Sequence, residues 1–423
     1  MNYLLASLGS AGDLHPYLAL ARALRRHGHD VELMSNAPYR ALVEAEGVTF
    51  SPLCSQRDHD RTANHPDLWH PVRGFGVLWR HLAVPAIDPV LERVQSFTSG
   101  SEHPPGSVRV LASPLAVGAR LAWAARRFPL ASVYTAPANL RPLGNPMFVG
   151  PWQVPGWTPP AARRALWWAL DRWKLEPLAR DLVARRCADL GAPPPTGSLF
   201  GRWLHSPEGG VALYPATFGP APPAQPGTVI QQGEFPRFRA SADVGLPAAL
   251  QAFLADGDAP VVVFAGSAPG PQGRELLRLA SEACRALGQR CVVLAPENAL
   301  PSTGRWARGP QSDCLLLPHA ALAELLPHAL AFVHHGGAGS CAEGLAAGVP
   351  QIIQPFAYDQ FDNAARLRLR HVADVLPPGA AARLALLNLL QGAASTARPA
   401  RVGAPDADAA NLAAVARWES SRH

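Results

Sequence analysis

Apolar and polar positions along the chain fall into short blocks that repeat. The runs "NYLLASL" (2–8), "HDVELMS" (29–35), "VTFSPL" (48–53), "VRVLAS" (108–113) and "LASVYT" (130–135) are apolar and brief, which predicts buried strands. Between them lie stretches with helical spacing. In "LHPYLALARALRRHG" (14–28), Leu14, Tyr17, Leu20, Ala21 and Leu24 share one stripe. Arg22 and Arg26 lie opposite, and Arg25 sits at the stripe's edge. Pro16 suits a first helical turn. A second set of apolar runs follows: "PVVVFAGS" (260–267), "CVVLAP" (291–296), "CLLLP" (314–318), "AFVHH" (331–335) and "PQIIQP" (350–355). Strand–helix–strand alternation predicts α/β architecture with parallel, doubly wound sheets.

Between the two sets the alternation stops. "PANLRPLGNPMFVGPWQVPGWTPP" (137–160) is rich in Pro, Gly and aromatics, and 161–186 is helical in pattern with tryptophans at 167, 168 and 173. The stretch "PATFGPAPPAQPG" (215–227) reads as a linker. The predicted organisation is an N-terminal domain over 1–215, a linker over 216–240 and a C-terminal domain over 241–400. A last helix within 401–423 would pack back on the first domain. The length of 423 residues suits two domains of about 100–200 residues each.

Composition narrows the class. The chain is 48% hydrophobic and 17% charged, with no apolar run long enough to span a membrane. "MNYLLASLGSAGD" reads as a first strand, not a signal peptide. The six cysteines lack CxxC or framework spacing and read as small apolar residues of a reducing compartment, so a cytoplasmic protein is expected. The net charge is +6, carried almost wholly by arginine, since Lys174 is the only lysine. No basic run is interleaved with aromatics, so no nucleic-acid partner is expected.

The stretch "HHGGAGSCAEGLAAGVPQIIQPFAYDQFDNA" carries the chemistry. A strand, then glycines, then a helix start near Gly339 would expose backbone N–H groups, an arrangement that binds phosphate. His335 could add a donor and Ser340 a hydroxyl. Glu343 could accept from ribose hydroxyls. Asp359 and Gln360 follow the next strand and would face the same crevice with groups suited to sugar hydroxyls. Gly337, Gly339 and Ala342 also fit G-x-G-x-x-G/A, with Asp359 at a ribose acid's distance, so a dinucleotide oxidoreductase is a rival on spacing alone.

Taken together, His335, Gly337, Ser340, Glu343, Gly348, Pro350, Asp359 and Gln360 resemble the donor signature of nucleotide-sugar-dependent glycosyltransferases of the GT-B fold, the large family that includes the UDP-glycosyltransferases. "GSAGD", "VHHGG" and "AAGVPQ…PFAYDQFDNAARL" most resemble the bacterial rhamnosyltransferase B chain that glycosylates hydroxy fatty acids. The resemblance implies two Rossmann-like domains facing across a cleft, the first binding acceptor and the second donor. It implies that His335, Gly336, Gly337, Gly339, Ser340 and Ser267 bind the diphosphate, Glu343 the ribose, and Asp359 with Gln360 the sugar. No metal and no cofactor are expected beyond a dTDP- or UDP-sugar co-substrate. The favoured reaction is inverting transfer of L-rhamnose from dTDP-rhamnose, or of glucose from UDP-glucose, to a hydroxyl of an apolar acceptor such as a hydroxy fatty acid lipid. A sugar-nucleotide epimerase and a catalytically silent binding partner remain rivals.

The chain departs from the family's plant-type pattern at Leu316, Leu317, Pro318 and His319, where an aromatic that stacks on uracil would open the signature. In the family's first loop, Gly-Asp-x-x-Pro or Gly-His-x-x-Pro carries the acceptor base. Gly12-Asp13-Leu14-His15-Pro16 matches it, so Asp13 is the expected base. His15 is the rival, since its ordinary pKa is nearer neutrality. A helix N-terminus should hold Asp13 as an anion and so as a weak base. Ser113 stands where relatives that use His place a partner Asp, which fits Asp13 acting alone. "RDHDR" (57–61) superficially offers a metal-binding Asp58-x-Asp60 but reads as a solvated loop. Trp152, Trp157 and Trp167 are expected in an apolar acceptor pocket, and the Trp/Arg-rich stretch around them suits weak peripheral membrane contact.

Overall fold

A computed structural model describes residues 1–423 except 105, 226, 241–244, 268, 297–312, 394–396, 404, 405 and 423. The chain forms two units. The first comprises Met1–Leu68, Arg73–Phe238 and Ala404–His423, and the second Trp69–Val72 and Arg239–Gly403.

The first unit is built on a seven-stranded, all-parallel sheet. Its strands are β1 (Asn2–Ala6), β2 (Asp30–Asn36), β3 (Thr49–Cys54), β4 (Val108–Ala112), β5 (Leu130–Tyr134), β8 (Gly210–Ala212) and β9 (Ile230–Gln232). They lie in the order β3-β2-β1-β4-β5-β8-β9. Leu4 and Leu5 on β1 point to opposite faces and are both fully buried. Helices cover both faces of such a sheet, which is why its strands read as continuous apolar runs rather than alternating ones.

The first helix, Ala11–Arg26, buries Leu14, Tyr17, Leu20, Ala21 and Leu24 and exposes Arg25 and Arg26. It begins earlier than its apolar stripe, because Ser10 caps it. Pro16 therefore falls in the second turn, not the first. Its missing N–H leaves the carbonyl of Gly12 without an intrahelical partner, at an exposed position where water serves.

The stretch that broke the alternation holds a short hairpin, β6 (Phe148–Val149) with β7 (Trp152–Gln153). The helix Pro160–Leu170 then passes through a wide turn, Asp171–Leu175, into the helix Glu176–Asp189. Strands β8 and β9 escape the sequence reading, since each has only three residues and β9 lies inside the stretch read as linker. Gly210 is required on β8: an added Cβ would meet the Ser132 carbonyl oxygen at 2.2 Å. The helix Ala407–Ser420 closes the first unit. Its Trp418 is fully buried and donates to the Glu208 carbonyl at 2.9 Å.

The second unit is a six-stranded parallel sheet. It comprises β10 (Val261–Phe264), β11 (Cys291–Leu294), β12 (Cys314–Leu317), β13 (Ala331–His334), β14 (Gln351–Ile353) and β15 (Ala373–Val375). The order is β12-β11-β10-β13-β14-β15. Val261, Val262 and Val263 are all fully buried, so β10 is covered on both faces. The six cysteines are free thiols. Among the described residues no helix is long and apolar enough to cross a membrane.

A buried histidine couples the first unit's stability to pH. His205 Nε2 meets the Phe200 carbonyl at 3.0 Å, so it carries the hydrogen and donates. Nδ1 then accepts from the Tyr134 hydroxyl at 2.8 Å. Burial pushes the His205 pKa down to about 4. The unfolded chain, titrating near 6.5, binds more protons than the native one in between. Stability is therefore complete above about pH 6.5 and lost as pH falls toward 4, at up to about 1.4 kcal/mol per pH unit for this one group. Urea unfolding at pH 7 and pH 5 should show this loss, and His205→Gln should flatten it. An equally steep dependence in the variant would sink the assignment.

Candidate active site

Each sheet reverses its winding at one point, between β1 and β4 in the first unit and between β10 and β13 in the second. At such a point the loops leaving the carboxyl ends of adjacent strands diverge to opposite faces and leave a crevice. In the second unit, Phe264 pairs in register with His334, so the loops carrying Ser267 and His335 start side by side.

The turn after β13 is shaped by the first of the two histidines. His334 is fully buried and stacks on Phe332, with ring centroids 4.4 Å apart. Its Nδ1 accepts the Gly336 N–H at 3.1 Å. Its Nε2 must then carry the hydrogen, donated to Gln351 Oε1 at 3.0 Å. Burial holds its pKa down at about 3, so it stays neutral. Gly336 has φ +88°, and a Cβ there would come within 2.9 Å of the Ile353 side chain. Only glycine fits.

His335 follows, and it differs. Burial lowers its pKa to about 4, and its Nδ1 is buried with no hydrogen-bond partner among the described residues. Its ring lies over Gly337, where a Cβ would meet Nε2 at 2.6 Å. Gly337 caps the helix Ala338–Ala347, which starts one residue before the expected position. The N–H groups of Ala338, Gly339 and Ser340 have no intrahelical acceptors. Ser340 is buried in the first turn, with Glu343 one turn on. Gly339 is exposed, and a Cβ there would meet no protein atom within 4 Å. The fold thus requires Gly336 and Gly337 but not Gly339.

Asp359 and Gln360 belong to the same body. Asp359 precedes the helix Gln360–Leu369 and accepts from Asn363 Nδ2 at 2.7 Å. The same Asn363 amide donates to the Gly336 carbonyl at 3.0 Å. Asn363, absent from the sequence reading, therefore ties the two halves of the motif together; its i, i+4 spacing from Asp359 was the available signal. Gln360 Oε1 accepts the N–H groups of Phe356 and Ala357 at 2.8 and 3.0 Å. Its carbonyl is spent on the loop, so only its amide hydrogens remain to meet a ligand. Ser267 is exposed in the loop after β10, beside Gly266 with φ +98°.

In the first unit, Asp13 lies at the β1/β4 reversal. It is the third residue of the first helix, and its Oδ2 accepts from the Ser10 N–H at 2.7 Å and the Ser10 hydroxyl at 2.9 Å. The chain folds over this carboxylate so closely that a Cβ at Gly9 would sit 2.2 Å from Oδ2. Asp13 is half-buried as a residue, but its carboxyl lies under this loop, and desolvation pushes its pKa up despite the Ser10 hydrogen bonds. Burial thus moves this carboxyl above the ordinary aspartate range, in the direction of a stronger base than the sequence led one to expect. Burial, then the Asp13 charge, also raises the phenols of Tyr17 and Tyr39. His15 stacks on Phe238 at 5.0 Å. Ser113 hydrogen-bonds Tyr17.

Trp167 is half-buried and lies 4.8 Å from the Arg141 guanidinium, with its indole N–H buried and unpartnered among the described residues. Trp152 and Trp157 are exposed. The segment 57–61 is a helix, Gln56–Ala63, not a loop. Ser55 caps it by accepting from the Asp58 N–H, and Asp60 accepts from Gln56 at 2.8 Å. Among the described residues no group of three or more His, Cys, Asp or Glu could hold a metal ion.

Comparison with known proteins identifies the architecture. Residues 3–86 match the glycosyltransferase family 28 N-terminal domain, and 292–401 match the erythromycin biosynthesis protein CIII-like C-terminal domain. The chain is 30% identical over 390 residues to the O-mycaminosyltylonolide 6-deoxyallosyltransferase of Streptomyces fradiae, covering 87% of this chain and 83% of that one. It is 29% identical over 366 residues to glycosyltransferase GtfC of Amycolatopsis orientalis, covering 85% and 82%. Among solved structures, the spinosyn rhamnosyltransferase SpnG complexed with thymidine diphosphate superposes with a TM-score of 0.59 at 17% identity, covering 100% of this chain and 96% of that one. With two parallel α/β sheets and these relatives, the chain belongs to the GT-B nucleotide-sugar glycosyltransferases and is a transferase enzyme.

Proposed function

We propose that the protein transfers a 6-deoxyhexose, L-rhamnose in the favoured case, from a thymidine diphosphate donor to a hydroxyl of an apolar acceptor. One observation carries this reading. The helix N-terminus at Gly339 is open beside His335, whose buried Nδ1 lacks a partner among the described residues. A diphosphate supplies acceptors for those N–H groups, and a helix N-terminus favours its charge. In the free protein His335 is neutral, and an anion beside it would raise its pKa.

Two likenesses support the preference for thymidine. A relative by name transfers a 6-deoxyhexose, and a structural neighbour is complexed with thymidine diphosphate. Glu343 would accept from the deoxyribose. Asp359 and the Gln360 amide would meet the sugar hydroxyls.

In the reaction the acceptor oxygen attacks the anomeric carbon from the face opposite the diphosphate. The carbon–oxygen bond to the diphosphate breaks, and the configuration inverts. Asp13 takes the acceptor's proton, and burial makes it a better base than an ordinary carboxylate. His335, Ser340, Ser267 and the helix N–H groups stabilise the charge collecting on the leaving diphosphate. Trp167 is proposed to line the acceptor site. A hydroxy fatty acid lipid is the favoured acceptor. A macrolide-type aglycone is the second reading, favoured by the name of the Streptomyces fradiae relative. Competition between the two acceptors for one labelled dTDP-deoxysugar decides between them.

Asp13→Asn keeps an oxygen to accept from Ser10, so the cap and the fold should survive. Transfer should fall about 10²–10⁴-fold while dTDP binding is unchanged. In the wild type, kcat/KM should decline on acidification through a pKa above the ordinary carboxylate range. Transfer by Asp13→Asn at the native rate would remove Asp13 as the base.

Gly339 and Gly337 should separate. Gly339→Ala fills open space in a helix, so it should leave stability unchanged or raise it by up to about 1 kcal/mol, yet weaken dTDP binding. Gly337→Ala should destabilise the protein through the His335 ring. Thermal melts with and without dTDP read both effects. Undiminished dTDP binding by Gly339→Ala would contradict a diphosphate at that helix end.

A further inference from the structure

The segment 149–174 of the first unit also carries a set of exposed tryptophans. Trp152, Trp157, Trp168 and Trp173 are 64%, 83%, 61% and 65% exposed, and Leu166 is exposed with them. Large apolar side chains left in water together mark an interaction surface. Trp168 and Trp173 touch edge to face, with centroids 5.7 Å apart.

These tryptophans come from two pieces of chain, and Arg163 makes them one body. It is buried at 3% exposure and has no carboxylate partner among the described residues. Its guanidinium instead donates to five carbonyls. Nε reaches Thr158 at 2.9 Å, Nη1 reaches Leu143 and Gly144 at 3.1 and 2.6 Å, and Nη2 reaches Pro155 and Gly156 at 3.0 and 3.1 Å. The loop bearing Trp157 is thereby fastened to the helix bearing Trp168.

The charges are one-sided. The exposed charged residues of this segment are Arg164, Arg172 and Lys174, all cationic. The segment's one acid, Asp171, is buried and paired with Arg141 at 2.8 and 2.9 Å. Arg164, Trp168 and Arg172 recur at four-residue spacing, so cation and indole share one stripe.

We propose that this face docks on an anionic lipid surface. Indole rings are apolar with a polar edge and settle at headgroup depth. Arginine stems lie along the acyl boundary while their heads reach lipid phosphates. The net charge of +6 adds long-range attraction to an anionic leaflet. A second copy of this chain fits less well, because a symmetric contact would set Arg164, Arg172 and Lys174 against themselves. The inference stands apart from the donor and acceptor assignments.

The test is co-sedimentation of the full chain with vesicles of phosphatidylcholine alone or mixed with phosphatidylglycerol. Binding is expected on the mixed vesicles only, and high salt should release it. Each of Arg164→Gln and Arg172→Gln should lower partitioning roughly fivefold. The double variant Trp168→Ser/Trp173→Ser should lose sedimentation while still binding dTDP as the native chain does. The two kinds of variant guard against misfolding of either. No binding to the mixed vesicles, or binding that both kinds of variant retain, would overturn the proposal. So would a dimer in sedimentation velocity that the double tryptophan variant dissolves, which would assign the face to self-association.

Discussion

A parallel sheet that reverses its winding leaves backbone groups unpaired where two neighbouring strands part, and the proposed donor crevice depends on how this chain manages that gap. Past Phe264 and His334 the strands diverge, and Gly266 and Gly336 both take positive φ. The crevice is then organised from one short turn. His334 stays neutral in order to accept the Gly336 N–H. Asn363 returns to the Gly336 carbonyl and orients Asp359 in the same step. Gln360 spends its carbonyl holding the loop before its own helix. With these backbone groups satisfied inside the protein, the helix N-terminus at Gly339 and Nδ1 of His335 are the groups proposed to meet a ligand.

The first unit meets the same constraint with different chemistry. There the gap between β1 and β4 is closed by Gly9 and Ser10 folding over Asp13. One carboxylate therefore both caps the first helix and supplies the proposed base. The two roles pull its pKa in opposite directions. Hydrogen bonds from Ser10 favour the anion, and desolvation favours the acid. Desolvation is the larger of the two, and it shifts the carboxyl in the direction that the proposed role as base requires.

Much of the fold was legible because its strands are buried on both faces. β1 to β5 and β10 to β14 announce themselves as apolar runs, and the first helix by its stripe. Strands β8 ("GVA") and β15 ("ADV") were not legible, since neither has adjacent large apolar residues such as the Ile352–Ile353 pair of β14, and their pairing comes from neighbours distant in sequence. The helix Gln56–Ala63 buries only Thr62, so it has no stripe to read. Within the donor motif, residue identities were legible but their division of labour was not. Nothing in "HHGG" tells which histidine serves the turn and which keeps its Nδ1 without a partner among the described residues. That distinction arises from Gln351, 17 residues away, which fixes His334 alone. The upward shift at Asp13 was likewise hidden, because burial beneath Gly9 is a tertiary fact.

The most direct measurement is calorimetric titration of the purified protein with dTDP, UDP and NAD, repeated on Glu343→Ala. The account predicts that dTDP binds, that UDP binds more weakly, that NAD does not bind, and that Glu343→Ala weakens dTDP. Binding of NAD without dTDP would contradict a nucleotide-sugar site at the turn after β13.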